Sequence, residues 1–267
     1  MWSIFYLLEE RKNSWNIVIK QITHDKVITS IEGFSAFRKY KTYLVSVLAK
    51  TAIENDSNEN RRWVLKDITL TVKWIAKSKA LKPKVLILKS QSAIFDKSIG
   101  LLRFTDTAYI SFSKYNVEVQ DLQYDFKTSQ LFSNTKVAIK SNTFYITSKG
   151  LKLNLTPLQI KLFSKVKLQF TNQLSGSSIT SEKLSYNFKD HFVFNKQVKI
   201  IHKAYKSFSN QLIFNNSKEQ LQYALKGNVS IFIGGHNFKG QMILFNPIDQ
   251  SIEIKKGKIQ VDESLNF

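Results

Sequence analysis

Apolar and polar residues alternate along most of this chain with a period of two. The alternation is clear in Leu151–Leu155 and Val166–Phe170, where lysine or another polar residue separates the apolar ones. This period places the apolar side chains on one face of a sheet and the lysines on the other. Asp, Asn, Ser, Lys and Gly cluster between the alternating stretches, where turns between strands would fall. The pattern predicts an almost wholly β chain of hairpins with one apolar and one basic or polar face.

A unit of about thirty residues recurs along the chain. It holds an apolar strand, an anchor residue followed by a polar turn, a second strand and a β-branched closing pair. The aromatic or aliphatic anchors, which lie 28 to 33 residues apart, are Phe95, Tyr124, Leu153, Tyr186, Phe214 and Phe245. The first residues of the closing pairs, at steps of 29 to 32, are Val137, Val166, Val198, Val229 and Ile259. The shared period predicts a repetitive architecture in which each unit buries its apolar face against its neighbours.

Composition and charge leave the partner open. At 267 residues and 43% hydrophobic content, the chain has enough apolar sequence for one elongated domain or two compact ones. Its 40 basic and 20 acidic residues give a net charge of +20, which favours polyanions such as nucleic acid, anionic membranes or phosphorylated glycolipids. Biased residue usage and lysines that protect sheet edges from aggregation explain the same charge equally well.

No pattern of catalytic or metal-binding residues is found in the sequence. The absence of cysteine excludes a disulfide scaffold, a zinc ribbon and thiol catalysis. The four histidines have no metal-ligand spacing; they are His24, His191, His202 and His236. Aspartates that indicate turn chemistry stand singly after strands, at Asp96, Asp125, Asp190 and Asp249. The sequence therefore predicts no enzyme, no cofactor and no metal site.

Nucleic acid is the partner that the basic charge alone would suggest first. Aromatic residues interleave with lysines in Phe37–Tyr43 and Lys203–Phe208, as in platforms on which bases stack. Elsewhere, however, the aromatics recur at the anchor position of every unit, which is the core-facing position of a strand. Nucleic acid is therefore not favoured as a partner.

Three groups of residues, taken in order, carry a resemblance to a known family. They are Ile31–Phe34 with the strand Tyr43–Thr51, then Trp63–Leu70 with Val85–Phe95, then the repeated Leu-x-Tyr-Asp/Asn-Phe-Lys at Leu122–Lys127 and Leu184–Lys189. By these residues the chain resembles the OstA-like family of lipopolysaccharide transport proteins over about residues 27–261. It is most similar to the periplasmic export component LptC over 27–170, whereas 176–261 resembles the repeats of the relative LptA.

The resemblance implies an all-β fold, an elongated open two-layer β-taco or twisted β-jellyroll of repeated hairpins. An apolar groove in it would hold the acyl chains of lipopolysaccharide. The residues expected to line that groove are the six anchors and the pairs Val137/Ile139, Val166/Leu168, Val198/Ile200 and Val229/Ile231. If they fill a sealed core instead, the chain is a basic polyanion-binding module or a structural β-repeat scaffold.

The resemblance also implies the partners and the location. The partners are lipopolysaccharide, an inner-membrane lipopolysaccharide ABC transporter and a periplasmic bridge protein that stacks edge strand to edge strand. The location is the periplasmic side of the bacterial inner membrane. The apolar stretch Trp2–Leu8 is shorter than the ~20 residues of a span, so either the chain is cytoplasmic or residues 1–26 are an N-terminal segment that adjoins a membrane anchor or is its remnant. A single repeat domain is predicted over residues 27–261, and a tail over residues 262–267.

Overall fold

A computed structural model of the chain describes residues 16–18, 21–25, 28–57, 60–75, 84–171, 174–187, 191–215 and 222–256. All regular structure in these ranges is β-strand, and the strands pair as antiparallel hairpins. This confirms the predicted all-β fold. The chain divides into two compact units, Met1–Ser133 (unit 1) and Asn134–Phe267 (unit 2). The boundary inferred from the resemblance, between 170 and 176, is a different division and stays a prediction.

Unit 1 is built around four long strands. Its strands are β1 (Asn16–Val18), β2 (Gln21–Asp25), β3 (Ile28–Lys39), β4 (Tyr43–Ser57), β5 (Asn60–Trp74), β6 (Val85–Asp96), β7 (Leu101–Phe104), β8 (Ala108–Phe112), β9 (Tyr115–Val119), β10 (Gln123–Asp125) and β11 (Gln130–Ser133). Strands β3 to β6 form a meander, and both β1 and β2 pair with β3. Strand β6 pairs with β7 at one end and with β8 at the other. The sheet continues from β7 to β10 and β11, and from β8 to β9.

Part of the predicted N-terminal segment is therefore strand, since β1 and β2 lie within residues 1–26. The remaining residues of that segment, among them Trp2–Leu8, lie outside the described ranges. The predicted tail 262–267 and the closing residue Ile259 also lie outside them.

The long strands of unit 1 bend at one transverse row. Their pairing registers skip this row, which consists of Gly33, Lys50, Asp67 and Gln91. Gly33 (φ 67°) and Asp67 (φ 50°) have left-handed backbone conformations. In β5 the buried positions pass from odd to even numbers here, with Leu65 on one side and Ile68 on the other. Because the bend reverses the alternation, both halves of each strand direct apolar side chains into one interior. We call this row the unit 1 fold line.

The two halves of unit 1 contact each other on the side away from the fold line. The hydroxyl of Tyr40, in the turn between β3 and β4, donates a hydrogen bond to the carbonyl oxygen of Phe126 at 2.8 Å. Tyr40 and Phe126 follow strands on opposite sides of the fold line. The sheet of unit 1 is thus folded over itself into two layers.

Unit 2 is a meander of hairpins. Its strands are β12 (Val137–Lys140), β13 (Phe144–Ser148), β14 (Leu151–Leu155), β15 (Leu158–Phe170), β16 (Ser178–Tyr186), β17 (His191–Ile201), β18 (Tyr205–Asn215), β19 (Tyr223–Ile233), β20 (His236–Phe245) and β21 (Ile252–Lys256). From β15 to β21 each strand pairs with the next. Strand β15 also pairs with β14 along its first half and with β13 along its second, and β13 pairs with β12.

A row of bulges crosses the long strands of unit 2. On β15, β17 and β19, two successive left-handed residues shift the register; these pairs are Ser164-Lys165, Lys196-Gln197 and Gly227-Asn228. Each pair lies opposite a single residue of the next strand, namely Glu182, Asn210 and Gln241. Such bulges bend a strand and increase its twist. The pairs recur every 31 or 32 residues, so this row, the unit 2 fold line, has the period of the sequence repeat.

Ring contacts show that unit 2 is also folded over itself. Ile160 belongs to the same transverse row as Phe214. If β15 were straight, Phe170 would lie about 33 Å from Ile160, at about 3.3 Å per residue. The Phe170 ring nevertheless lies 6.0 Å from the Phe214 ring, centroid to centroid. The two halves of the strands therefore face each other as two layers.

Candidate functional site

The anchors of the sequence repeat fall in one transverse row of each unit. In unit 1, Phe95 pairs with Leu102, which pairs with Tyr124. In unit 2 the row follows the pairings of β14 to β20 and consists of Leu153, Ile160, Tyr186, Phe192, Phe214, Tyr223 and Phe245. We call these seven residues the unit 2 anchor row. The thirty-residue period thus has a structural cause, because two strands and their turns return the chain to the same row.

The closing pairs lie between the fold line and the far ends of the strands. Val166, Val198 and Val229 directly follow the three pairs of left-handed residues. Each has its side chain in the interior, as have Leu168, Ile200 and Ile231 two positions later. Val137 and Ile139 are buried in the same way on β12.

All fourteen residues predicted to line a groove are therefore buried, each with at most 5% of its surface exposed. They fill the interiors of the two folded sheets. Burial is what both an acyl-binding interior and a sealed core require. Their role as groove lining stays a prediction.

Aromatic rings close unit 2 on the side opposite its fold line. Ring contacts join the anchor row to the other layer, among them Phe144–Phe192 at 5.3 Å, Phe170–Phe214 at 6.0 Å and Tyr205–Phe245 at 4.7 Å between ring centroids. We call these six residues the aromatic seam. Along the row itself, Phe192 stacks on Tyr186 at 4.4 Å and on Phe214 at 4.7 Å. The seam is the place where the two layers meet without a shared strand.

Sequence reasoning missed several residues of this interior. Ile160, Phe192 and Tyr223 complete the anchor row, and Phe144, Phe170 and Tyr205 supply the opposite side of the seam. The first three were accessible from the sequence, because each lies across a hairpin turn from an anchor. Nothing in the alternation distinguishes the other three from ordinary core residues, since their contacts depend on how the sheet folds over.

The comparison with protein families concerns the middle of the chain. Residues 87–172 match the family model described as lipopolysaccharide-assembly, LptC-related. Over these residues the chain is similar to the LptC-related family. The match runs from β6 to the end of β15 and contains the anchors Phe95, Tyr124 and Leu153. It confirms the resemblance seen in the sequence over this segment, and the resemblance of the remaining residues stays a prediction. The match covers about a third of the chain, and no curated protein matches the chain.

Three tyrosine side chains lie inside the apolar interiors, that of Tyr124 within residues 87–172 and those of Tyr205 and Tyr223 after them. Burial is the first cause that raises the pKa of Tyr124, Tyr205 and Tyr223, so all three are neutral at physiological pH. The Tyr124 hydroxyl lies near that of Tyr40, and the Tyr205 hydroxyl lies near those of Ser177 and Tyr223.

A polar cleft opens on the outer face of unit 1, where the fold line passes between β7 and β8. Its volume is about 500 Å³, and its lining is Asp67, Ile68, Thr69, Lys89, Ser90, Gln91, Asp106, Thr107 and Tyr109. Two carboxylates against one ammonium group make this cleft unsuited to an anion such as phosphate. By contrast, an apolar cavity inside unit 1, bounded by Phe34 and Phe95 among others, measures about 10 Å³ and is at the lower limit for one water molecule.

Turn aspartates behave as the sequence predicts. Asp125 accepts hydrogen bonds from the backbone N–H groups of Lys127 at 2.7 Å and Thr128 at 3.2 Å. Asp249 accepts one from Ser251 N–H at 2.8 Å. Asp96 makes the same kind of turn, and Asp190 lies outside the described residues. These carboxylates thus accept hydrogen bonds from the backbone N–H groups of the turns.

The residues that the structure describes contain no group of three or more potential metal ligands. The His202 ring lies 4.8 Å from the Tyr205 ring, and its Nδ1 accepts a hydrogen bond from Ala204 N–H at 3.3 Å. The side chain of His24 lies outside the described residues. In the described ranges, no helix is long and apolar enough to cross a membrane.

Proposed function

We propose that this protein is a non-enzymatic carrier of lipopolysaccharide export at the periplasmic side of the inner membrane. It binds acyl chains between the two layers of a folded sheet. It receives them from the inner-membrane ABC transporter and passes them to the next bridge protein. The observation that carries the proposal is the burial of the anchors Phe95, Tyr124 and Leu153 within residues 87–172, the segment that is similar to the LptC-related family of lipopolysaccharide assembly.

Acyl chains enter unit 2 by separating its layers along the aromatic seam. Each ring contact of the seam contributes about 0.5–1.5 kcal/mol beyond the area that it buries. Burial of an acyl chain contributes about 0.8 kcal/mol per methylene group. About two to six methylene groups therefore offset these three ring contacts. The ladders that cross the fold line keep their hydrogen bonds while the opposite side opens.

The outer face and the last strand supply the other contacts that a carrier needs. Lys161, Lys167, Lys199 and Lys206 are exposed on the outward face of unit 2, where they can pair with the phosphates of a glycolipid. Among the described residues, β21 pairs only with β20. Its other edge offers backbone groups to a strand of the bridge protein.

Photocrosslinking tests the lipid path directly. A light-activated residue in place of Tyr186 reports on the interior, and the same residue in place of the exposed Lys199 is the matched control on the outer face. In envelope vesicles we expect an ATP-dependent crosslink to lipopolysaccharide from position 186 and a weaker one from position 199. A folded, exported protein that gives no crosslink from position 186 has a sealed core, and the carrier proposal is then wrong.

A substitution adds a second test. Tyr186→Asp places a charge in the anchor row and is expected to abolish glycolipid binding, whereas Lys183→Asp on the outer face is expected to preserve most of it. A folded Tyr186→Asp protein that binds with the parent affinity would contradict the proposal.

The net charge of +20 supports the alternative of a polyanion-binding module. Binding of that kind falls steeply with salt because it depends on counterion release. Binding by acyl burial persists at high salt. A titration at two salt concentrations therefore separates the two functions.

A further inference from the structure

The polar cleft of unit 1 lies where strand β6 changes its partner. Strand β6 pairs with β7 over residues 93–96 and with β8 over residues 86–89. Neither pairing includes residues 90–92, and residues 105–107 carry the chain from β7 to β8 past this gap. The cleft that opens here has a volume of about 500 Å³, within the range of about 300–1,000 Å³ that is typical of sites for small molecules.

One carboxylate of the cleft is held in place by hydrogen bonds. The Ser92 hydroxyl donates to Oδ2 of Asp106 at 2.5 Å, and the Thr105 hydroxyl lies within hydrogen-bonding distance of the same Ser92 oxygen. The Thr105 N–H donates to the carbonyl oxygen of Ser92 at 3.1 Å. These bonds attach the segment 105–107 to β6. A carboxylate accepts hydrogen bonds through both oxygens, so Oδ1 of Asp106 can accept from a ligand.

The charges of the cleft favour a neutral ligand. Its lining contains two carboxylates, of Asp67 and Asp106, and one ammonium group, of Lys89, so the cleft repels anions although the chain as a whole has a charge of +20. Lys89 lies directly opposite Tyr109 in the register of β6 and β8, and side chains in this relation have Cβ atoms about 4.5–5.5 Å apart. A cation placed on the Tyr109 ring would therefore be repelled by Lys89.

The hydrogen-bonding groups of the cleft favour a ligand with many hydroxyls. Carboxylates only accept, and the two of the lining offer about eight acceptor positions, whereas Lys89 and Gln91 supply donors. The side chain of Tyr109 is 55% exposed, so one face of its ring is available to a flat apolar surface. A sugar ring combines both properties, because nearly every carbon bears a hydroxyl and its C–H groups form an apolar face that packs on an aromatic ring.

We propose that this cleft binds an uncharged sugar, which packs on the Tyr109 ring and donates its hydroxyls to Asp67 and Asp106. The site lies on the outer face of unit 1, so the proposal does not depend on acyl binding between the layers of either unit. The sugar belongs either to a glycolipid or to a free glycan, and both present the same chemistry to the cleft.

Saturation-transfer NMR with the full chain tests the proposal. The probes are the methyl glycosides of glucose, galactose, mannose and N-acetylglucosamine at millimolar concentration, together with putrescine as a cation. We expect at least one glycoside to bind with a saturable signal that putrescine does not displace. Tyr109→Ala should weaken its binding about two- to tenfold, the size of one ring contact. Asp106→Asn should weaken it about tenfold, because a charged acceptor contributes more than a neutral one.

Tyr145→Ala is the matched control, because Tyr145 is a half-buried tyrosine on β13 in unit 2 and has no part in the cleft. It should leave the Kd of the glycoside unchanged. Competition then identifies the source of the sugar. If the polysaccharide of lipopolysaccharide, freed of its acyl chains, displaces the glycoside, the cleft takes the sugar of a glycolipid. If it does not, the cleft takes a free glycan, and either result supports the proposal.

Three results would overturn the inference. In the first, no glycoside binds to the parent chain. In the second, folded Tyr109→Ala and Asp106→Asn proteins bind the glycoside as tightly as the parent, so the sugar binds elsewhere. In the third, putrescine displaces the glycoside, and the cleft is then a cation site. None of these results bears on the crosslink from position 186, which tests the carrier function separately.

Discussion

The strands of the two units bend through different backbone conformations. Unit 1 bends through single left-handed residues on alternate strands, at Gly33 and Asp67, and its registers skip a row without shifting. Unit 2 bends through pairs of left-handed residues, such as Lys196-Gln197, and each pair shifts the register by one residue. In both, the bend brings the two halves of the apolar face together. The comparison shows that a folded sheet can be specified by a few backbone conformations on an otherwise regular alternation.

The units also close differently on the side away from the fold line. In unit 1, a hydrogen bond from Tyr40 to the carbonyl of Phe126 ties the layers together. In unit 2, aromatic rings of the two layers contact each other at the seam. An acyl chain can replace a ring contact without leaving a polar group unpaired. It cannot replace the hydrogen bond of unit 1 in this way, because the Tyr40 hydroxyl and the Phe126 carbonyl oxygen would lose their partner. Unit 2 is therefore the unit whose layers separate at the lower cost.

The largest expected effect comes from removal of a seam ring. Phe214→Ala deletes a fully buried ring that contacts Phe170, Phe192 and Tyr223, and it should destabilise unit 2 by about 3–5 kcal/mol. Hydrogen exchange measures the effect locally, with faster exchange expected in β17 to β19 and unchanged exchange in β4 and β5. Phe208→Ala, which shortens an outward-facing and partly exposed side chain, is the control with a small expected effect. Equal loss of protection in both units would show that the stabilising effect of the Phe214 ring is not confined to unit 2.

A smaller effect is expected at the unit 2 fold line. Gly227 has φ 72°, and a Cβ added there would lie 3.0 Å from Asn210 Nδ2 and 3.1 Å from Asn210 Cβ. Gly227→Ala therefore combines left-handed strain of about 1–2 kcal/mol with a steric contact, and urea unfolding should show a loss of about 2–3 kcal/mol.

Gly176→Ala separates these two causes. Gly176 has φ 91°, but nothing lies within 4 Å of an added Cβ, so only the conformational part of the loss is expected. Asn210→Ala in the Gly227→Ala background should recover part of the difference. Equal losses for the two glycine variants would mean that Asn210 accommodates the methyl group freely.

The alternation and the thirty-residue period predicted the strands and the inward direction of the anchors, because both depend on local spacing. The fold lines could not be predicted in this way. Ser164, Lys165, Lys196 and Gln197 are left-handed without being residues that favour that conformation, and only Gly227-Asn228 has a turn-like sequence. These residues are held there by the strands on either side, which is a tertiary effect.

For the candidate site, the buried positions were predictable from the sequence, whereas the contacts between the layers were not. Burial of Tyr186 and Phe214 follows from the period, but their contacts with the opposite layer depend on where each strand bends. The division at residues 133 and 134 was also not predictable, since it falls between β11 and β12 without a Pro- or Gly-rich linker. Whether the buried row admits acyl chains stays a prediction that neither the spacing nor the packing decides.

A pH-dependent effect distinguishes the turns of the two units. Asp96 accepts hydrogen bonds from Ser98 Oγ at 2.6 Å, Ser98 N–H at 3.1 Å and Arg62 Nε at 3.2 Å. The bond from the Ser98 hydroxyl is the first cause that lowers its pKa below the ordinary 3.8. Because the folded pKa is lowered, the ionised group stabilises the fold above the unfolded pKa. That stabilisation is lost as pH falls through the folded value.

Asp96→Asn should therefore destabilise the chain by about 1–3 kcal/mol at neutral pH, with a difference from the parent that narrows below about pH 4. Thermal unfolding across pH 2–7 measures it. Asp249→Asn in unit 2 removes a fully exposed turn carboxylate and should give a smaller change. A difference for Asp96→Asn that is constant with pH would mean that its charge contributes nothing to folding.

The smallest effect is expected at the unit 1 fold line and has the opposite sign. Asp67 has φ 50°, an exposed side chain and a position in the polar cleft. Asp67→Gly relieves the left-handed strain, but it also increases the freedom of the unfolded chain, so the net stabilisation should be at most about 1 kcal/mol. Lys66→Gly, at the neighbouring exposed position without a left-handed backbone, is the matched control and should destabilise by about 0.5–1 kcal/mol. If Asp67→Gly were also less stable than the parent in urea unfolding, the carboxylate itself would contribute to the bend, and the two fold lines would differ in side-chain chemistry as well as in backbone conformation.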